Sequence, residues 1–229
     1  MRFTRFQAVM LGGTLASALT CGLMTSSASA NLLTDPGFEL QTAAPNPNPT
    51  GIPGWANFGG AAFSTTVAHT GDWSLYTPDN GGGYNVPGTY QDFAASPGET
   101  FTFSGWVYTP NALVTNSNDF AILQLSFFSG SPPNNYAGGT QEGGADGVNI
   151  GTPAGGGGVP LPQGVWTFAS VTGVAPAGTN SMGAYILNIN ADANADFYFD
   201  DMSLNVPEPT SLGLLAVGSL AFLRRRRRA

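Results

Sequence analysis

Thr100-Phe101-Thr102-Phe103-Ser104-Gly105-Trp106-Val107-Tyr108-Thr109 is the stretch on which the reading of this chain turns. One phase carries Phe101, Phe103 and Val107; the other carries Thr102, Ser104, Trp106 and Tyr108. A period of two with one apolar side is the signature of a β-strand lying on a core. The opposite side is polar, with two aromatic rings set among hydroxyls. Outward from this strand, short runs rich in aromatic and β-branched residues recur between Gly, Pro, Asn and Asp clusters: Ala61 to Val67, Trp73 to Thr77, Thr89 to Phe93, Phe120 to Phe128, Val165 to Thr172, Met182 to Asn190 and Asp196 to Val206, with a further piece around Phe38. Phe120 to Phe128 is apolar on both phases, as a central strand should be. No helical period interrupts the series, so the pattern predicts an all-β sandwich. Ser129 to Gly164 is rich in Gly and Pro and reads as a long loop, a flexible insertion in preference to a binding loop; Gln41 to Pro53 is a shorter Pro-rich loop.

The two ends read as addresses, leaving one domain of the 229 residues between them. Residues 1–30 begin with Arg2 and Arg5, continue through an apolar stretch and finish in Ala28-Ser29-Ala30, which predicts a signal peptide removed by signal peptidase. Cys21 leaves with it, so the domain has neither disulfide nor thiol chemistry. At the other end Thr210 to Leu223 is apolar; fourteen helical residues reach about 21 Å, short of the roughly 30 Å hydrocarbon core. A short transmembrane helix of this kind is a transient inner-membrane anchor, its arginines held on the cytoplasmic side.

Every basic residue lies in those two ends. Between Asn31 and Val206 there are thirteen carboxylates and no Lys or Arg. Such a domain cannot neutralise phosphates, which excludes nucleic acid. A single histidine, His69, with no cysteine, lysine or arginine, also removes the common nucleophile–base pairs, phosphate clamps and zinc clusters. No carboxylate pair sits in a glycosidase motif, so the expected function is not enzymatic. On the closing strand Asp200 shares a phase with Tyr198, Met202, Leu204 and Val206, so strand alternation points its carboxylate at the core. A buried carboxylate must be protonated, hydrogen-bonded or matched by a cation. His69, the new amino terminus and a metal are the cations on offer; a solvated Asp200 with no metal is the alternative. Trp106 and Tyr108 on the polar phase, and Trp73, Tyr90 and Tyr136 in or near loops, are candidate platforms for sugar rings. An acidic surface repels anionic polymers and tolerates neutral ones.

Two resemblances sharpen this. Residues 206–229, with Pro207-Glu208-Pro209, the short helix and Arg224, Arg225, Arg226, Arg227 and Arg228, resemble the PEP-CTERM sorting signal of Gram-negative bacteria. That resemblance implies recognition and cleavage by an exosortase and delivery to the cell surface or extracellular matrix. Within residues 31–205, Asn31-Leu32-Leu33-Thr34-Asp35-Pro36-Gly37-Phe38-Glu39, Ile52-Pro53-Gly54-Trp55, His69-Thr70-Gly71, the Pro97 to Trp106 strand, Ala175-Pro176-Ala177-Gly178 and Phe197 to Leu204 resemble, in order, the galactose-binding-like jelly rolls that serve as carbohydrate-binding modules of xylanases and glucanases. The resemblance implies a jelly-roll β-sandwich and a structural calcium where its first and last strands meet. Glu39 and Asp200 would be side-chain ligands, Asp201 an alternate, and carbonyls near Gly37, His69 and Gly71 the remainder. It also implies packing roles for Trp55, Trp106 and Trp166. The expectation is a secreted, non-catalytic surface or matrix protein that binds neutral extracellular polysaccharide. A purely structural, calcium-dependent matrix protein without a sugar site is the alternative.

Overall fold

The computed structural model describes residues 30–40, 52–58, 63–65, 67–78, 86–110, 119–130, 139–151, 157–189 and 196–207. The signal segment up to residue 29, the sorting segment from Glu208 onward and Tyr136 lie outside the described residues. Ten strands, numbered in chain order, form two antiparallel sheets of five. One runs β1 (Ala56–Phe58), β4 (Gly88–Ala94), β9 (Ser181–Ile189), β6 (Phe120–Phe128), β7 (Asp146–Ile150). The other runs β2 (Phe63–Thr65), β3 (Ser74–Thr77), β10 (Phe197–Asn205), β5 (Thr100–Tyr108), β8 (Thr167–Val174).

The predicted alternation of β5 holds: Phe101, Phe103 and Val107 are buried, while Thr102, Trp106 and Tyr108 are half-exposed. Between the sheets they meet Leu123, Leu125 and Phe127 of β6, Met182, Ala184 and Ile186 of β9, and Phe197, Phe199 and Leu204 of β10. Phe101 and Phe127 touch across the sandwich at 6.0 Å. Each such side chain contributes roughly 1.5–3 kcal/mol through burial.

Three local features depart from the sequence pattern. First, β7 lies inside the Gly-rich segment expected to be a flexible loop. It pairs with β6 from Ala121↔Ile150 to Leu125↔Asp146. The chain on either side is tied down as well, Glu142 N–H bonding Phe127 O at 2.8 Å and Val159 N–H bonding Asn149 O at 2.8 Å. Small residues carry no period, but the exposed ladder of β6 and the fully buried Ile150 fix this strand regardless. Second, the piece around Phe38 is a set of turns rather than a strand, with Asp35 and Phe38 at φ 49° and 58°. Phe38 is nevertheless fully buried against Trp55, and Leu32 N–H reaches Leu204 O at 2.9 Å.

Third, β10 carries a bulge. Asp200 stands opposite Trp106 and Ser203 opposite Ser104, so Asp201 and Met202 together face Gly105 alone. Asp201 takes the left-handed φ of 48°. The extra residue resets the alternation: Phe197 and Phe199 face the core before it, Met202 and Leu204 after it. Asp200 therefore shares the outer side with Tyr198 and Trp106, not the inner side with Met202 and Leu204 as unbroken alternation predicts. It is fully buried all the same, because the chain at Gly37 and at His69–Thr70 covers it. Gly105 is the complement of the bulge, since a Cβ there would collide with Met202 Sδ.

Candidate functional site

Register assembles a belt of rings on the outer face of the β2-β3-β10-β5-β8 sheet. Tyr198 pairs with Tyr76 on one side and Tyr108 on the other. Tyr76 and Tyr198 stack at 4.8 Å, and Tyr108 meets Tyr198 edge-on at 5.7 Å. Trp166, just before β8, lies 5.3 Å from Tyr108 and 5.4 Å from His69. His69 in turn stacks on Trp106 at 4.3 Å and 18°, and Phe168 of β8 closes the series at 5.5 Å from Trp106. Phe168 is exposed and the others are half-buried. Polar groups are interleaved with the rings. The Tyr76 hydroxyl donates to Asp196 Oδ1 at 2.7 Å, and Thr102 and Thr172 share a hydroxyl hydrogen bond at 2.9 Å. Burial, with the charge of Asp196 and the neighbouring Tyr108, pushes the Tyr198 phenol upward and keeps it a neutral donor. Apolar ring faces beside hydroxyls and carboxylates match the two sides of a pyranose, one built of C–H and one rimmed by O–H.

At the bulge the N-terminal turns, the His69–Gly71 loop and β10 converge. Asp200 Oδ2 accepts N–H bonds from His69 at 2.7 Å and Thr70 at 3.0 Å, and its Oδ1 accepts the Asp201 N–H at 2.7 Å. Burial holds this carboxyl up at about 6, opposed by those three N–H bonds and assisted by the charge of Asp201. Asp201 Oδ2 is hydrogen-bonded to His69 Nδ1 at 2.7 Å, and its Oδ1 accepts from the Thr70 hydroxyl at 2.6 Å. Glu39 Oε1 accepts from the backbone of Asp72 at 2.9 Å and Trp73 at 3.0 Å. Gly71, at φ 67°, leaves no room for a Cβ beside the Glu39 carboxylate, and Gly37 lies against Asp200 and Asp201. Glu39, Asp200, Asp201, Gly37, His69 and Gly71 are thus brought to one junction. No three acidic or histidine side chains among the described residues stand close enough to form a metal-ligand group by themselves.

The four candidate platforms among the described residues are not gathered. Trp106 and Tyr108 belong to the belt. Trp73 is half-buried beside Glu39 at the junction. Tyr90 lies on the outer face of the other sheet, stacked on Tyr185 at 5.2 Å, with Phe58 at 5.8 Å. Next to it a cleft of about 290 Å³ is lined by Thr34, Gly54, Ala56, Tyr90, Gln91, Asp92 and Phe93, and burial holds the Asp92 carboxyl up at about 6. The sequence pattern does not single out Tyr76, Phe168 and Tyr198 as ring contacts. In the folded strands each alternates with buried neighbours and lies outside, Tyr198 against the sequence expectation that put it in phase with an inward Asp200, and only the strand pairing makes them neighbours.

Residues 205–228 match the model of the PEP-CTERM protein-sorting motif. No curated protein sequence matches the chain. Among solved structures the sandwich is similar to a Stig cyclase, Fisc, from Fischerella sp. TAU, with a TM-score of 0.52 and 11% identity over 77% of this chain and 96% of that one. It is also similar to a family 16 carbohydrate-binding module, with a TM-score of 0.49 and 18% identity over 76% and 99%. A third likeness is to the enzymatically active domain of tailspike protein 4 of bacteriophage CBA120, with a TM-score of 0.49 and 11% identity, where 77% of this chain spans 21% of that one. At 11% identity the likeness to the cyclase speaks for the fold alone. The chain carries a PEP-CTERM sorting motif behind an all-β two-sheet sandwich resembling carbohydrate-binding modules, and the motif marks it as an exported, exosortase-sorted protein of the cell surface.

Proposed function

We propose that this protein binds neutral polysaccharide, without catalysing a reaction, at the surface or in the extracellular matrix of a Gram-negative bacterium, after a transient stay in the inner membrane. The observation that carries the reading is the belt from Tyr76 to Phe168, rings from four successive positions across the sheet set among hydroxyls on a domain with no Lys or Arg. The shortage of nucleophile–base pairs favours binding over catalysis. Glycan-array screening of the exported protein, followed by titration of the best ligand, tests it. Tyr108→Ala and Phe168→Ala should each weaken binding by about 1–3 kcal/mol, roughly 5- to 150-fold, with little change in melting temperature. Trp106→Ala should lower stability as well, because its ring is stacked on His69. Unchanged affinity in Tyr108→Ala, Trp166→Ala and Phe168→Ala would remove the belt from consideration and leave Trp73 and Tyr90.

Calcium at the bulge is part of the same proposal. Glu39, Asp200 and Asp201 would hold it, with carbonyls at Gly37, His69 and Gly71 and water completing an oxygen shell. The gathering of Glu39, Asp200 and Asp201 at one junction of a domain with no Lys or Arg supports it, although these side chains would have to move closer together to share an ion. Against it stand the N–H bonds already taken by Asp200 and Glu39, which the ion would have to share. Melting with millimolar calcium and with chelator decides the matter, identical midpoints meaning no site. The purely structural reading draws on one observation, that His69 already covers a face of Trp106; calcium-dependent melting with no glycan bound on the array would establish it.

A further inference from the structure

Four strands end a sheet, and three of them are poor templates for further pairing. β1 and β2 have three residues each; β7 has five and opens with Asp146. β8 has eight residues with no charge and no proline, in a domain otherwise strewn with carboxylates. Soluble proteins usually break such an edge with a lysine, a proline or a bulge. β5 occupies one side of β8, and among the described residues no strand pairs with the other. Phe168 and Val174 are 51% and 56% exposed on it.

The direction of the backbone groups follows from Ala175, which donates its N–H to Glu99 O and accepts from Gly98 N–H, both at 2.8 Å, and so turns both groups toward β5. That direction alternates along an antiparallel strand, and the β5–β8 register is unbroken from Thr167 to Val174. Val171 therefore faces β5, while Phe168, Ser170, Thr172 and Val174 turn their N–H and C=O groups to the open edge. The same four carry the exposed side chains. About Val171 the strand reads alike in both directions: Ser170 answers Thr172, and Phe168 answers Val174.

We propose that two copies of this chain join through β8, antiparallel about a two-fold axis at Val171, making one sheet that runs through both molecules. A two-fold contact requires residue i to meet j wherever j meets i. Here each Phe168 meets Val174 of the other copy, each Ser170 meets Thr172, and every outward backbone group on these four residues gains a partner. The carboxylates elsewhere repel, so salt strengthens the association. The proposal rests on the edge and not on a sugar site, although it draws Phe168, the outermost ring of the belt, into the contact.

Sedimentation of the full exported chain at rising concentration and salt should show the mass doubling and going no further. Ser170→Pro removes an outward N–H that β5 does not use; it should leave the melting temperature within a few degrees of the parent and keep the protein monomeric. In a Cys21→Ser background, Ser170→Cys with Thr172→Cys should oxidise to a covalent dimer, whereas Thr172→Cys alone should not. A monomer at every concentration in high salt overturns the proposal. So does a dimer that survives Ser170→Pro and fails to cross-link.

Discussion

Gly105 has no side chain because Met202 takes the space. The pair is a single unit made by the bulge, one residue removed and one turned inward. Gly105→Ala should destabilise by about 1–3 kcal/mol through overpacking, and Met202→Ala by about 2–5 kcal/mol through the cavity it opens. The double variant should lose less than the sum, because each change relieves the other; strict additivity in urea melts would show that the two residues do not share the space. Asp92 gives a second residue-level expectation. Its carboxyl is held up at about 6 by burial beside the Tyr90 cleft, against an ordinary value of 3.8. The folded chain then keeps the proton that the unfolded chain releases, so the stabilisation is complete below the unfolded value and fades as pH rises through about 6. Measured in chelator at fixed salt, the melting temperature should fall between pH 4 and 7, and Asp92→Asn should flatten part of that fall. A parallel pH profile for the variant would remove Asp92 as its source.

β5, β6 and β10 are legible as strands in the amino-acid sequence because of their bulky residues, and β5 in its phase as well; the predicted Phe120–Phe128 coincides with β6. β7 is not legible in the same way. Asp146-Gly147-Val148-Asn149-Ile150 has two apolar residues among small and polar ones, and what makes it a strand is the edge of β6, a long-range partner that local pattern does not contain. Ile150→Ala should therefore cost about 2–5 kcal/mol, whereas the same change in a flexible insertion would cost next to nothing. The burial of Asp200 follows from the sequence pattern for a reason that does not hold. The alternation that points it inward is broken at Asp201, a single non-glycine residue with positive φ, and nothing in the neighbouring letters signals the break. The belt shares this limit: the same alternation, taken as unbroken, puts Tyr198 inward with Asp200, and the meeting of Tyr198 and Phe168 with Tyr76, Tyr108 and Trp106 is a property of register. Long strands with bulky alternation can be read one at a time, while sites built across strands wait for the pairing.

For the domain of residues 31–206 as a whole the governing fact is thirteen carboxylates without a Lys or Arg among them. Their mutual repulsion is screened by salt within about 10 Å at 0.1 M, so raising monovalent salt from low millimolar to a few hundred millimolar should raise the melting temperature in the absence of calcium. No response would mean the carboxylates are already neutralised by protons or a bound ion. The route from this domain to the sorting motif has a mechanical side. The motif begins where β10 ends, and β10 is an inner strand, bonded to β3 on one flank and β5 on the other, with Leu32 and Pro36 tied to the half nearest the motif. A pull transmitted along the chain from residue 206 therefore acts parallel to β10 and strains both ladders at once, instead of peeling one bond after another from a sheet edge. Tension in shear is resisted by the ladders together, so a force entering at residue 206 meets the sandwich along its more resistant direction.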